Sequence, residues 1–140
     1  VLRGNGPWRP DDDLMIVYTS GHTLGSVSLL YQTPGGERVC FSGDTFTGKA
    51  DKSDVEIYWK SNRAGTVRQA NFVRLLAVNE PFTWVLPSHG YPFRAESDGM
   101  MQYKLMHAVQ RFDNGDGLKS IGEYEWHSEA AKEDLEDWEA

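Results

Sequence analysis

Three polar residues, His22, Asp44 and His89, stand just past runs that read as β-strands, separated by 22 and then 45 positions. Two imidazoles and a carboxylate are ligand types suited to zinc, and equally to iron or manganese. His22 lies in Gly21-His22-Thr23-Leu24-Gly25, Asp44 in Ser42-Gly43-Asp44-Thr45, and His89 in Ser88-His89-Gly90. Strand ends that open into glycine-bearing loops suit ligand presentation, because the strand fixes a direction and the loop leaves room. Gly21, Gly43 and Gly90 allow unusual backbone angles and close approach to an ion or substrate. Taken singly, each residue has a plainer reading. A loop His is ordinarily polar surface, an Asp after a strand is ordinarily a turn or helix cap, and spacing alone does not choose.

The elements that must position these residues can be read from the pattern. Residues 1–12 read as an irregular lead-in with two Gly and two Pro. Leu14 to Thr19 is a short apolar and β-branched run, long enough for a buried strand. Ser26 to Thr33 reads as a second strand and Arg38 to Ser42 as its return, joined by Pro34-Gly35-Gly36-Glu37, which is turn chemistry. Residues 46–64 are mixed and polar and read as a long loop. Thr66 to Asn79 has a helical pattern in Val67, Phe72, Leu75 and Leu76, and Pro81 stops it. Trp84-Val85-Leu86-Pro87 is a short buried strand. Ser97 to Phe112 is a second helix with Met101, Leu105, Ala108, Val109 and Phe112 as its apolar stripe. Three strands precede any helix, so the order is not a simple βαβ alternation. The expected class is α+β, a mixed sheet with helices packed on one face.

The words around the three residues carry more than the residues do. Thr19-Ser20-Gly21-His22-Thr23-Leu24-Gly25-Ser26, then Val39-Cys40-Phe41-Ser42-Gly43-Asp44-Thr45, then Trp84-Val85-Leu86-Pro87-Ser88-His89-Gly90 resemble three consecutive signatures of the metallo-β-lactamase-fold superfamily. Order, strand context and approximate spacing all match, from about Leu14 to Gly90 and on to Phe112. Ser20 stands where that family usually has Pro, and Ser88 where it usually has Gly; neither change removes a ligand. The family's first motif, His-x-His-x-Asp-His, is absent from this chain, and the resemblance places it upstream of Val1. It thus implies the C-terminal half of a metallo-β-lactamase αββα sandwich over residues 1–112. Residues 113–140 form an acidic extension that the resemblance does not reach.

Carried over by position, the resemblance implies that His22 completes the ligand set of a first metal ion, Asp44 bridges two ions and His89 binds the second. It implies zinc, one or two ions, with iron or manganese as alternatives. Each ion would then receive at most two ligands from this chain, whereas zinc sites normally use three or four protein ligands. The site therefore needs an upstream half, either on the same polypeptide or on a partner chain. Given that half, the implied activity is hydrolysis, in which a metal-activated hydroxide attacks a small-molecule ester, thioester or related bond. Asp44 would be the catalytic residue, holding the metal pair and taking a proton as the intermediate collapses. The rival reading is a catalytically silent subunit of the same fold, kept for a structural or interaction role in a larger assembly.

Composition narrows the partners. The 140 residues carry 14 Lys and Arg against 21 Asp and Glu, a net charge of −7, which argues against a surface built for phosphate backbones. The longest apolar run, Leu14 to Tyr18, is far short of the roughly 20 residues of a membrane helix. Cys40 is the lone cysteine, so no internal disulfide forms; between Val39 and Phe41 it reads as a small buried hydrophobe. Lys60, Arg63, Arg68 and Arg74 make a local basic stretch that reads either as a solvated helix face or as an attractor for an anion. Thr23, Ser26 and Thr45 could support the site from behind or satisfy the loop backbone. Tyr91 and Phe93 could line a substrate pocket or cover the core edge. His107 and His127 read as surface residues. The stretch 128–140 could form an amphipathic helix with Leu135 and Trp138 on one side, or a frayed end.

Overall fold

The computed structural model describes residues 3–4, 6–57 and 63–112. Its elements in chain order are β1 (Trp8–Asp11), β2 (Leu14–Tyr18), β3 (Val27–Gln32), β4 (Arg38–Gly43), β5 (Phe46–Gly48), β6 (Val55–Ile57), α1 (Arg63–Asn79), β7 (Trp84–Pro87), β8 (Phe93–Arg94) and α2 (Asp98–Phe112). Six strands form one sheet in the order β1-β2-β3-β4-β7-β8, and β5 and β6 pair as a separate hairpin. The fold is mixed α+β. Strand β4 runs parallel to β7, and every other pair is antiparallel. Two reversals separate β2 from β4, so β2, β4 and β7 all point the same way. Their C-terminal ends therefore lie along one edge of the sheet.

The turn between β3 and β4 is closed by its own backbone. Thr33 N donates to Glu37 O at 2.8 Å and Gly36 N to Thr33 O at 3.0 Å, with Gly36 at φ 93°. That left-handed angle costs glycine little, which is why Pro34-Gly35-Gly36 can fix the register here. One row of side chains then crosses the sheet: Met15 opposite Leu30, Leu30 opposite Cys40, Cys40 opposite Val85, and Val85 opposite Phe93. All five are buried. They join one core with Phe46, Val55 and Ile57 of the hairpin, Ala70, Val73, Leu76 and Ala77 of α1, and Met101, Leu105, Ala108 and Val109 of α2. Burial of such side chains is the main favourable contribution to the fold.

The opposite face of the sheet is apolar too. Successive residues of a strand alternate between faces, so Ile16, Leu29, Phe41 and Leu86, which lie opposite one another in turn, share that side. None of these four belongs to the core cluster, and Phe41 is 41% exposed. Val27, at the end of the same face, is 40% exposed. Among the described residues, helices and hairpin cover one face of this sheet, whereas on the other Tyr18 meets Phe72 of α1 and Phe41 and Val27 stay partly exposed.

Four strands depart from the sequence reading. Residues 8–11, expected to be irregular, pair with β2 as an edge strand through Trp8–Ile16 and Asp11–Leu14, with an irregularity between them; an edge position tolerates Pro10. The expected long loop holds β5 and β6, closed by Lys49 N to Asp54 O at 2.9 Å. Three-residue strands are too short for a periodic signal, and only the burial of Phe46, Val55 and Ile57 by other elements makes them strands. The two-residue β8 has the same explanation. No helix of the described residues is long and apolar enough to cross a membrane.

Candidate functional site

The shared C-terminal edge of β2, β4 and β7 carries the three singled-out residues. Asp44 follows the last residue of β4, His89 lies two positions beyond β7, and His22 sits in the loop from β2 to β3. The structure brings them together around the Asp44 carboxylate. His89 Nδ1 lies 2.6 Å from Asp44 Oδ1, and His22 Nε2 lies 3.8 Å from Asp44 Oδ2. One carboxylate thus faces two imidazoles, one with each oxygen. His89 is largely exposed (77% of its side chain), whereas His22 and Asp44 are about one-third exposed.

Backbone contacts explain the convergence. Ser88 N donates to Gly43 O at 2.8 Å, tying the end of β7 to the end of β4. Gly43 at φ 58° and Gly90 at φ 105° turn the chain away immediately beside Asp44 and His89. The His22 loop closes on itself. Thr19 N donates to Ser26 O, Gly21 N and Ser26 N both donate to Thr23 O, and Thr23 N donates to Ser26 Oγ. Thr23 and Ser26 therefore serve the loop backbone, the plainer of their two readings. Gly21 is required by space: a Cβ there would lie 2.2 Å from Gln69 Cβ and 2.4 Å from Gln69 Cα.

Beneath the edge lies a buried polar layer. Thr19 Oγ1 is 2.9 Å from Ser28 Oγ and 3.3 Å from Thr45 Oγ1. Ser42 Oγ donates to Phe46 O at 2.6 Å. From α1, Arg68 Nε donates to Ser20 Oγ at 2.6 Å and Gln69 Nε2 donates to Thr45 O at 2.8 Å. Arg68 and Gln69 are the functional neighbours that the sequence reading missed. The sequence groups Arg68 with Lys60, Arg63 and Arg74 as a basic stretch, either a solvated helix face or an attractor for an anion. Instead it is only 4% exposed, with its guanidinium 5.0 Å from the Phe72 ring centre and 5.7 Å from that of Tyr18. A signal was present: Arg68 follows Val67 at the start of the apolar face of α1, where a solvated charge is out of phase. Lys60 lies outside the described residues.

The donor types suit a divalent transition metal, with His and carboxylate oxygen converging. Their number does not complete a site. Among the described residues no group of three or more His, Cys, Asp or Glu is arranged to hold a metal ion. His22 Nδ1 is buried and has no hydrogen-bond partner among the described residues, although a metal-ligating imidazole ordinarily donates its other N–H to an acceptor. By donor type the three residues suit a metal centre; by number, and with no acceptor for His22 Nδ1 among the described residues, they do not complete one. Away from this edge, a hollow of about 300 Å³ lined by Arg9, Asp13, Gln32 and Arg38 opens at the opposite end of the sheet and takes in none of the three residues.

The remaining candidates divide. Phe93 is buried in the core, while Tyr91, 52% exposed, stands two positions after His89. Cys40 is buried, and burial pushes its thiol well above its ordinary range, so it is unsuited to nucleophilic work. His107 is exposed and stacks on Tyr103. His127, the stretch 128–140 and the rest of the acidic extension lie outside the described residues. The chain matches no protein-family model, and no curated protein sequence matches it.

Proposed function

We propose that this chain is the C-terminal half of a metallo-β-lactamase-fold hydrolase, and that His22, Asp44 and His89 are its share of a metal centre. The observation that carries the proposal is the Asp44 carboxylate set between two imidazoles, Oδ1 toward His89 and Oδ2 toward His22, at the common C-terminal edge of three strands. A carboxylate so placed, with an imidazole beside each oxygen, offers donors that could hold zinc together with both rings. The partly exposed apolar face of the sheet supports the same reading. A second apolar layer laid on Ile16, Leu29, Phe41 and Leu86 would complete a sandwich and bring further side chains to the same edge.

The chemistry follows from the residues. Zinc bound at such a site supplies Lewis-acid activation of water and of a substrate carbonyl. Asp44, His22 and His89 would be this chain's ligands to the metal, and the Asp44 carboxylate would accept the proton released during bond cleavage. The partly exposed edge with Tyr91 beside it admits a small ester or thioester. Metal analysis of the full-length protein beside His22→Ala and Asp44→Ala tests the assignment. Loss of bound zinc in both variants is expected. Unchanged metal content in both would remove it and leave the catalytically silent structural subunit as the better reading.

A further inference from the structure

We propose that Gln69 on α1 is the positioning residue of this site, fixing the His22 loop and the Asp44 loop against each other; the inference rests on the reading of His22 and Asp44 as partners given above. Gln69 is fully buried (0% exposed), and it touches both loops at the residue adjoining the functional one. On one side its Nε2 donates to the carbonyl of Thr45, which follows Asp44, at 2.8 Å. On the other, its main chain and Cβ lie so close to Gly21, which precedes His22, that a methyl group on Gly21 would come within 2.2–2.5 Å of Gln69 Cβ, Cα and N. The His22 loop is thus seated directly against this turn of α1.

A buried amide costs stability unless it is hydrogen-bonded. An apolar residue of equal length would fill the same space without that cost, so the amide's particular contribution is direction: it holds the Thr45 carbonyl, and with it the turn that sets the Asp44 carboxylate. The neighbouring Arg68–Ser20 hydrogen bond ties the start of the His22 loop to the same turn of helix. The 3.8 Å between His22 Nε2 and Asp44 Oδ2 is therefore set by α1 as well as by the sheet.

The test uses the whole 140-residue chain. Gln69→Met keeps the length and apolar stem and loses the donor; Gln69→Asn keeps the amide but cannot reach Thr45 O. Long-range imidazole NMR spectra are recorded without metal, with the exposed His107 of α2, which stacks on Tyr103, as internal control; Zn²⁺ affinity is measured on the full-length protein. In whichever variant retains the wild-type circular dichroism, the metal-free His22 resonances are expected to move while those of His107 stay. In the full-length protein, apparent Zn²⁺ affinity is expected to weaken about 10- to 100-fold, the usual effect of losing a group that orients a ligand. A lower melting temperature with His22 resonances and Zn²⁺ affinity both unchanged would make Gln69 a packing residue and overturn the proposal. The underlying reading fails separately: metal content of the full-length protein unchanged in His22→Ala and Asp44→Ala would remove the metal centre, and the metal-free spectra of the 140-residue chain would still decide what Gln69 positions.

Discussion

Cys40 shows how much a residue's neighbours decide about its chemistry. Its side chain lies in the central row of the sheet between Leu30 and Val85, fully buried, with desolvation holding the thiol protonated. The nucleophile in alkylation is the thiolate, so iodoacetamide near neutral pH should leave the folded chain unmodified and add a single label in denaturant, read by intact mass. Rapid native-state labelling would show that this row opens. The apolar neighbours Val39 and Phe41 made this burial legible in the sequence. Arg68 was less legible, because its guanidinium is stabilised by Phe72, Tyr18 and Ser20, and only folding brings Tyr18 and Ser20 to the helix. The same limit applied at the site itself. His22, Asp44 and His89 could be singled out from their loops, but nothing in their spacing conveyed that one carboxylate would face both rings. Gln69 carried no signal in the sequence, since its importance comes from a contact with Gly21 across 48 positions.

Elements with enough residues to show a period could be read; those held only by their neighbours could not. α2 displays Met101, Leu105, Ala108 and Val109 as a stripe, and all four are buried. Leu105, at 0% exposure, sits in the middle of that stripe. Leu105→Ala should cost about 2–5 kcal/mol through lost transfer energy and the cavity left behind, measured by urea unfolding. A cost under ~1 kcal/mol would mean that α2 is only loosely docked. The two-residue β8 depends on a different bond. Its Arg94 Nε and Nη2 donate to Glu37 Oε1 at 2.9 and 2.6 Å, joining β8 to the turn before β4. Chiefly that guanidinium, and then the Trp84 indole N–H, hold the Glu37 carboxyl below its ordinary value of 4.5. A lowered folded-state pKa adds stability that is complete above the unfolded value and is lost as pH falls through the folded one. Glu37→Gln should therefore melt slightly below wild type at neutral pH, and the two curves should meet as pH drops below 4.5 and through the lowered folded-state value. Curves that stay equally far apart throughout would show that the ion pair contributes nothing, as many exposed pairs do.

At the scale of the whole molecule, the sheet presents a conflict that the described residues leave standing. An antiparallel sheet with one solvated face ordinarily alternates apolar and polar residues, yet Leu14-Met15-Ile16-Val17-Tyr18 and Val39-Cys40-Phe41 are apolar at every position. Such strands call for cover on both faces. Helices and hairpin provide it on one, while Phe41 and Val27 remain about 40% exposed on the other. A contiguous apolar patch of this kind marks a surface that meets something else. The isolated 140-residue chain should therefore bind a hydrophobic dye and self-associate as its concentration rises, both read directly by fluorescence and sedimentation. Phe41→Lys should suppress both and move stability by only about ±0.5 kcal/mol, as expected for a surface change. If the missing ligands arrive on a second layer seated here, the same substitution should also abolish zinc binding by the full-length protein, although residue 41 is no ligand. A wild-type chain that sediments as a monomer and leaves the dye dark would mean that its own residues already cover this face, and the sheet would then have no place for a second layer.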